Sequence, residues 1–183
     1  MKLSSPDTLT QEIIQSGIST WNELTFFVQT LPYGRNENRE DFTLVWKEKK
    51  GTCSSKHAFL KHIAVLNGMD TMKLILGMYK MNLGNTAGIG NVLEENNLPY
   101  MPEAHCYLKI EGKRFDFTNP TADISQLEDD IISEQEIQAD DVAHKKVRIH
   151  QSFLKKWLEE RNLEMNFDQL WAIREKCIQN LSN

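Results

Sequence analysis

Apolar residues recur at helical spacing over Leu9, Ile13, Ile14 and Ile18, which predicts an opening helix. Thr20-Trp21-Asn22-Glu23 then reads as a capping box, with a hydroxyl at the cap and a carboxylate three residues on. Leu24, Phe27 and Val28 form the buried stripe of this second helix, and Pro32-Tyr33-Gly34 ends it. A polar loop covers 35–41. Phe42-Thr43-Leu44-Val45-Trp46 is apolar but too short to decide between helix and strand. Gly51-Thr52 opens a further helix over Cys53 to Leu66, with Phe59, Ile63 and Leu66 for packing, small Ala58 and Ala64 beside them, and a stop at Asn67-Gly68.

Met72 to Met81 is rich in apolar residues between turn signals and predicts a strand. The segment 83–99 reads as loop with one helical turn. Its Gly88-Ile89-Gly90 lacks the third glycine and the preceding strand of a dinucleotide fingerprint, so it is read as plain loop. Ala104 to Ile110 and Arg114 to Thr118 predict two strands joined through Glu111-Gly112-Lys113, where glycine supplies the positive φ of a hairpin turn. The acidic stretch 123–141 reads as a solvated face with short helical pieces. Two helices close the chain, one near His150 to Arg161 and one capped by Asn166 that carries Leu170, Trp171, Ile173, Ile178 and Leu181. Helices and strands are segregated rather than alternated, which predicts one α+β domain with an antiparallel sheet. Residues 1–41 supply its N-terminal helices, about 42–121 its core, and 122–183 an acidic segment and C-terminal helices.

Composition narrows the function classes. The 183 residues are 40% hydrophobic and 26% charged, with a formal net charge of −5. That balance argues against a nucleic-acid or anionic-membrane partner, since both call for a basic surface. Apolar runs fall short of the ~20 residues of a membrane span. Met1 to Pro6 has one basic residue and no apolar stretch behind it, so no secretory leader is expected. The three cysteines, at 53, 106 and 177, are odd in number and unpaired in spacing. Neither a disulfide framework nor a metal or other cofactor is expected, and a reducing, cytoplasmic setting follows.

Cys53 is placed for chemistry. It falls in the predicted first turn of a helix, where free N–H groups carry positive partial charge and favour thiolate over thiol. Its own N–H points where an acyl-transfer oxyanion would form. The position also suits a buried structural cysteine. On the hairpin, a two-residue turn at Glu111-Gly112 sets Ile110 opposite Lys113 and Tyr107 opposite Asp116. His105 and Asp116 then lie on one face, diagonal to each other, with Cβ atoms roughly 7 Å apart or less; a one-residue slip would separate them. The three residues make a nucleophile, a base and an orienting carboxylate. His57, four residues after Cys53, shares its helix face and is a candidate pocket residue. Asn36, Trp46 and Thr52 are candidates for the pocket or the second oxyanion donor. Cys106 is expected to point to the opposite strand face, into the core. His62, His144 and His150 carry no partner pattern.

Gly51-Thr52-Cys53 opening a helix, Ala104-His105-Cys106-Tyr107 in a strand, and Phe115-Asp116-Phe117-Thr118 after a glycine turn resemble the transglutaminase-like superfamily with its papain-like fold, over about residues 42–121. The resemblance implies a nucleophile helix packed on an antiparallel sheet and a Cys53-His105-Asp116 triad. It implies acyl transfer or amide hydrolysis on a peptide-like or amide substrate through a thioester. Cys106-Tyr107 stands where such proteins often carry a tryptophan-rich strand, and Ser54-Ser55-Lys56-His57 departs from the aromatic or acidic residues common after the cysteine. The second reading is a catalytically inactive member of the same fold, serving as a binding or scaffold module; its mark would be Cys53 and His105 far apart or walled off. A third would use the acidic 123–141 segment for regulatory contacts. The oligomeric state is not written in the sequence.

Overall fold

A computed structural model describes residues 1–181. Two N-terminal helices come first, α1 (Thr8–Gln15) and α2 (Trp21–Thr30). The α2 capping box forms as the sequence predicts, with Thr20 accepting from the Glu23 N–H and Glu23 from the Thr20 N–H. The undecided apolar stretch is a short helix, α3 (Leu44–Glu48), and α4 spans Cys53–Leu66. Strand β1 (Lys73–Met81) leads through a 3₁₀ turn at Ala87–Ile89 and one turn of helix, α5 (Val92–Glu95), to β2 (Met101–Ile110) and the short β3 (Lys113–Phe115). A 3₁₀ segment (Ile124–Asp130), β4 (Ile131–Ile137), a further 3₁₀ turn, α6 (Lys145–Arg161) and α7 (Phe167–Asn180) complete it.

The fold is α+β. Its four strands form one antiparallel sheet in the order β3-β2-β1-β4. The hairpin register is the one a two-residue turn gives: Ile110 opposite Lys113 and Leu108 opposite Phe115. Glu111 (φ 49°) and Gly112 (φ 83°) both sit in the left-handed region that this tight turn demands. β3 stops at Phe115, three residues before the predicted end, so Asp116 to Thr118 leave the ladder.

The expectation for 123–141 is corrected in part: the short helical pieces are there, at Ile124–Asp130 and Ala139–Val142, but the seven residues between them, Ile131–Ile137, are the edge strand β4, paired with β1 from Leu74↔Ile137 to Tyr79↔Ile131. Its charges hide the strand pattern. Glu134 turns inward and receives Tyr107 Oη (2.5 Å) and both Nε and Nη2 of Arg114 (2.8 and 3.0 Å). An inward charge is also a common guard of an exposed sheet edge. α6 begins at Lys145, five residues before the predicted start.

Both sheet faces are buried, following the two-residue period of the strands. On one face, Leu74, Leu76, Met78, Ala104, Cys106 and Leu108 pack with Ala58, Phe59, Leu60 and Ile63 of α4 and Leu24 and Val28 of α2. On the other, Ile75, Tyr79, Met101 and Tyr107 pack with Leu154 and Trp157 of α6 and Leu170 and Cys177 of α7. Each large side chain buried this way stabilises the fold by roughly 1.5–3 kcal/mol. Among the described residues, no helix is long and apolar enough to cross a membrane.

Candidate active site

α4 starts at Cys53 because Thr52 caps it: its hydroxyl accepts from the Ser55 N–H, and the Ser55 hydroxyl accepts from the Thr52 N–H (3.0 Å). Gly51 is required before the cap, since a Cβ there would lie 2.9 Å from Lys56 Cγ and 3.1 Å from Val45. The sulfur therefore stands in the first helical turn, where backbone N–H groups lack helical partners. It meets β2 on the side away from β1, beyond the end of β3. β3 pairs only with Leu108 to Ile110, so the Met101–Tyr107 edge is open on that side, and the Cys106 N–H donates to the Cys53 sulfur.

His105 reaches the sulfur from the sheet face that carries Tyr79 and Tyr107. Its Nε2–H donates to Asp116 Oδ2 at 2.6 Å, which leaves Nδ1 as the nitrogen for its hydrogen bond with Cys53. The rings of Tyr79 and Tyr107 flank the imidazole, each 6.0 Å away between centroids. Gly77, opposite His105 on β1, makes this possible: a Cβ there would fall 2.7 Å from the Tyr107 ring. Asp116, just past β3, is held by the Thr118 N–H (2.9 Å) and hydroxyl (2.6 Å) on Oδ1.

Two side chains of α4 lock the helix start to that carboxylate. Lys56, fully buried, donates to the carbonyls of Leu31 (2.6 Å) and Thr118 (2.7 Å). His57 accepts the Phe117 N–H at Nε2 (2.8 Å) and donates Nδ1–H to the Cys53 carbonyl (2.7 Å). The Phe117 amide can only donate, so it fixes the neutral Nδ1–H tautomer of His57. Burial agrees, drawing the His57 imidazole down to about 4 against the opposing pull of Asp116.

Electrostatics favour an ion pair at Cys53–His105. Burial opposes the thiolate, but Lys146, then His105, and the hydrogen bonds from His105 and the Cys106 N–H outweigh it and bring the thiol down to about 6. Burial also opposes the imidazolium, but Asp116 and Cys53 raise His105 well above the ordinary histidine range. Asp116 stays ionised: burial would raise its carboxyl, yet His105, His57 and Thr118 hold it well below the usual carboxylate range.

Two cavities meet at the sulfur. One, of about 540 Å³, is lined by Thr52, Ser54, Lys146, His150 and Arg174 among others. The second, of about 420 Å³, is lined by Tyr79, Thr86, His105, Asp116 and Gln126 among others. Tyr33, Cys53, Glu103 and Ile178 border both. Glu103 and Arg174 form a buried bidentate pair that ties β2 to α7 behind the site. The pair keeps Glu103 ionised against burial, down to about 2.

Cys53, His105 and Asp116 are thus brought together, and four further sequence candidates are sorted differently. Thr52 lines the first cavity but spends its hydroxyl on the cap. Asn36 lines it too, yet its Nδ2 donates to Glu48 (3.1 Å) and to the Lys50 carbonyl (3.1 Å), which leaves no side-chain donor for an oxyanion. Two expectations are corrected. Trp46 packs edge-on to Phe27 under Lys49 and borders neither cavity. His57 is a fully buried tether rather than a pocket residue. His150, without a pattern in the sequence, is buried against the Pro102 carbonyl (2.8 Å).

Lys146 also reaches the site, without any mark in the sequence. Its Nζ donates to Ser54 Oγ (2.6 Å), and Ser54 Oγ lies 3.8 Å from the sulfur. It sits in His144-Lys145-Lys146, a run that reads as solvated helix surface, 93 positions after Cys53. No local signal could have found it. No protein-family model, curated protein or solved structure matches this chain.

Proposed function

We propose that the chain is a cysteine-dependent acyl transferase or amide hydrolase of the transglutaminase-like, papain-like kind. The observation that carries the reading is one linked line: Cys53 hydrogen-bonded to His105, and His105 Nε2 bonded to Asp116 at 2.6 Å. The sulfur, as thiolate, attacks the carbonyl carbon of a peptide-like or amide substrate and forms a C–S bond. The oxyanion builds up beside the Cys53 N–H at the helix start. His105, as imidazolium, gives its Nδ1 proton to the departing nitrogen while the C–N bond breaks. Water or an amine then attacks the thioester, losing its proton to His105 and returning the thiolate. Asp116 keeps the imidazole in the right tautomer and stabilises its charged form.

The test is the rate of Cys53 alkylation by a neutral reagent against pH, with Cys53→Ala as the blank. A thiolate inflection near pH 6 is expected. A Cys53 that reacts only above about pH 8, like a free thiol, would remove the basis of the reading. Labelling by an electrophilic amide mimic that is lost in His105→Ala is the second readout.

A further inference from the structure

The two cavities at Cys53 differ in charge. The first is walled by Arg35, Arg39, Lys146 and Arg174. Two of these are spoken for: Arg174 by Glu103 and Glu175, and Arg35 by Glu175 at 2.7 Å. Lys146 and Arg39 have no carboxylate within 4 Å among the described residues, and the remaining acid of the wall, Glu37, is exposed. Lys146 is 8% exposed and uses one donor on Ser54. Its ammonium already acts on the Cys53 thiolate and on Glu103, so it places positive charge beside the sulfur where an acyl group would sit. Partial burial and the like charges of Arg35 and Arg174 disfavour the Arg39 cation, with Glu175 offsetting them in part. The second cavity has no Lys or Arg in its wall; its charged and titratable lining includes His105, Glu103, Asp116 and Asp123.

The catalytic geometry gives this asymmetry a direction. His105 must reach the departing nitrogen, and His105 borders the second cavity only. The amine therefore leaves on that side, and the acyl half of the substrate occupies the first. We infer that Cys53 takes acyl donors whose acyl half carries a carboxylate, held between Lys146 and Arg39. The inference rests on the nucleophile reading above and specifies its substrate class. The first wall carries four cations against the three carboxylates Glu37, Glu103 and Glu175, whereas the second carries three carboxylates and no Lys or Arg, so an incoming anion is drawn to the first.

Iodoacetate and iodoacetamide provide the test, since they are nearly isosteric and differ by one negative charge. The thiolate displaces iodide from either, forming a C–S bond. Rate constants for the full chain would be measured at pH 7 and low salt, with the labelled peptide assigned to Cys53 by mass spectrometry. Each would be divided by that of 2-mercaptoethanol. We expect the iodoacetate-to-iodoacetamide ratio to be at least about tenfold higher for Cys53 than for 2-mercaptoethanol, given charges a few ångströms apart in a partly desolvated site. Lys146→Met and Arg39→Gln should each lower the ratio, and added salt should shrink it. Because both reagents probe the same variant, any change in thiolate fraction cancels. Arg39→Gln alters an exposed side chain, so the test stands even if Lys146→Met fails to fold. A ratio equal to that of 2-mercaptoethanol, with Cys53 still alkylated rapidly at pH 6, would overturn this inference and leave the nucleophile reading intact. Slow reaction with both reagents below about pH 8 would overturn both.

Discussion

Replacing Asp116 by Asn isolates the electrostatic link between carboxylate and thiol. Thr118 donates twice to Asp116 Oδ1, and the amide oxygen of an asparagine can accept both bonds. The amide NH₂ then faces His105 Nε2 in place of Oδ2. Nε2 must become the acceptor, so its proton moves to Nδ1 and the imidazolium loses its counter-charge. Lys146 remains and continues to favour the thiolate. Only the His105 share is withdrawn, which raises the Cys53 pKa from about 6 to roughly 7.5. At pH 5 the thiolate fraction then falls roughly thirtyfold, while the more basic sulfur is roughly fivefold more nucleophilic, so alkylation slows about sixfold. Above about pH 9 both proteins are fully thiolate and the variant reacts about fivefold faster. The two pH–rate curves must cross. The assay is stopped-flow alkylation with iodoacetamide from pH 4.5 to 10, with thermal melts to establish that Asp116→Asn leaves the fold intact. Superimposable curves, or an inflection that moves down, would refute the coupling of Asp116 to Cys53 through His105.

Two further outcomes follow from the same packing. His57→Phe leaves the Phe117 N–H without its acceptor in a buried place and should destabilise the protein by ~1–3 kcal/mol in urea unfolding. Because the folded state holds His57 near 4, below its ordinary 6.5, the stability tied to its neutrality is complete above pH 6.5 and drains as pH falls toward 4, by ~3 kcal/mol. The His57→Phe variant should lack that portion of the pH dependence, and equal slopes in the two proteins would count against the tether. Gly77→Ala drives a methyl to within 2.7 Å of the Tyr107 ring and should cost about 1–3 kcal/mol. Tyr107→Ala in the same chain should relieve part of that cost; strict additivity in a double-mutant cycle would mean the two do not touch.

Local rules carried much of the architecture. The Thr20 and Asn166 caps, the Asn67-Gly68 stop and the hairpin register were all readable, because each depends on residues within a few positions of one another. The hairpin was the most informative, since its turn length sets the register up to Leu108↔Phe115, and Thr118 then holds Asp116 just past the ladder where it meets His105. What stayed hidden depends on distant partners. β4 reads as an acidic surface because Glu134 finds Arg114 and Tyr107 only after the sheet assembles. His57 shares a helix face with Cys53 and so suggested a pocket, but the side chain turns to the Phe117 amide 60 residues away. Lys146 belongs to a helix that packs over the site from the far end of the chain, and no spacing relates it to Cys53.

The brevity of β3 has a further meaning. Three residues of ladder leave the lower half of β2 unzipped, and the head of α4 moves into that berth. A hairpin arm longer by a single pair of rungs would claim the Cys106 amide for itself and push the sulfur out. A silent version of this scaffold could therefore keep Cys53, His105 and Asp116 unchanged and differ only in how far one hairpin closes.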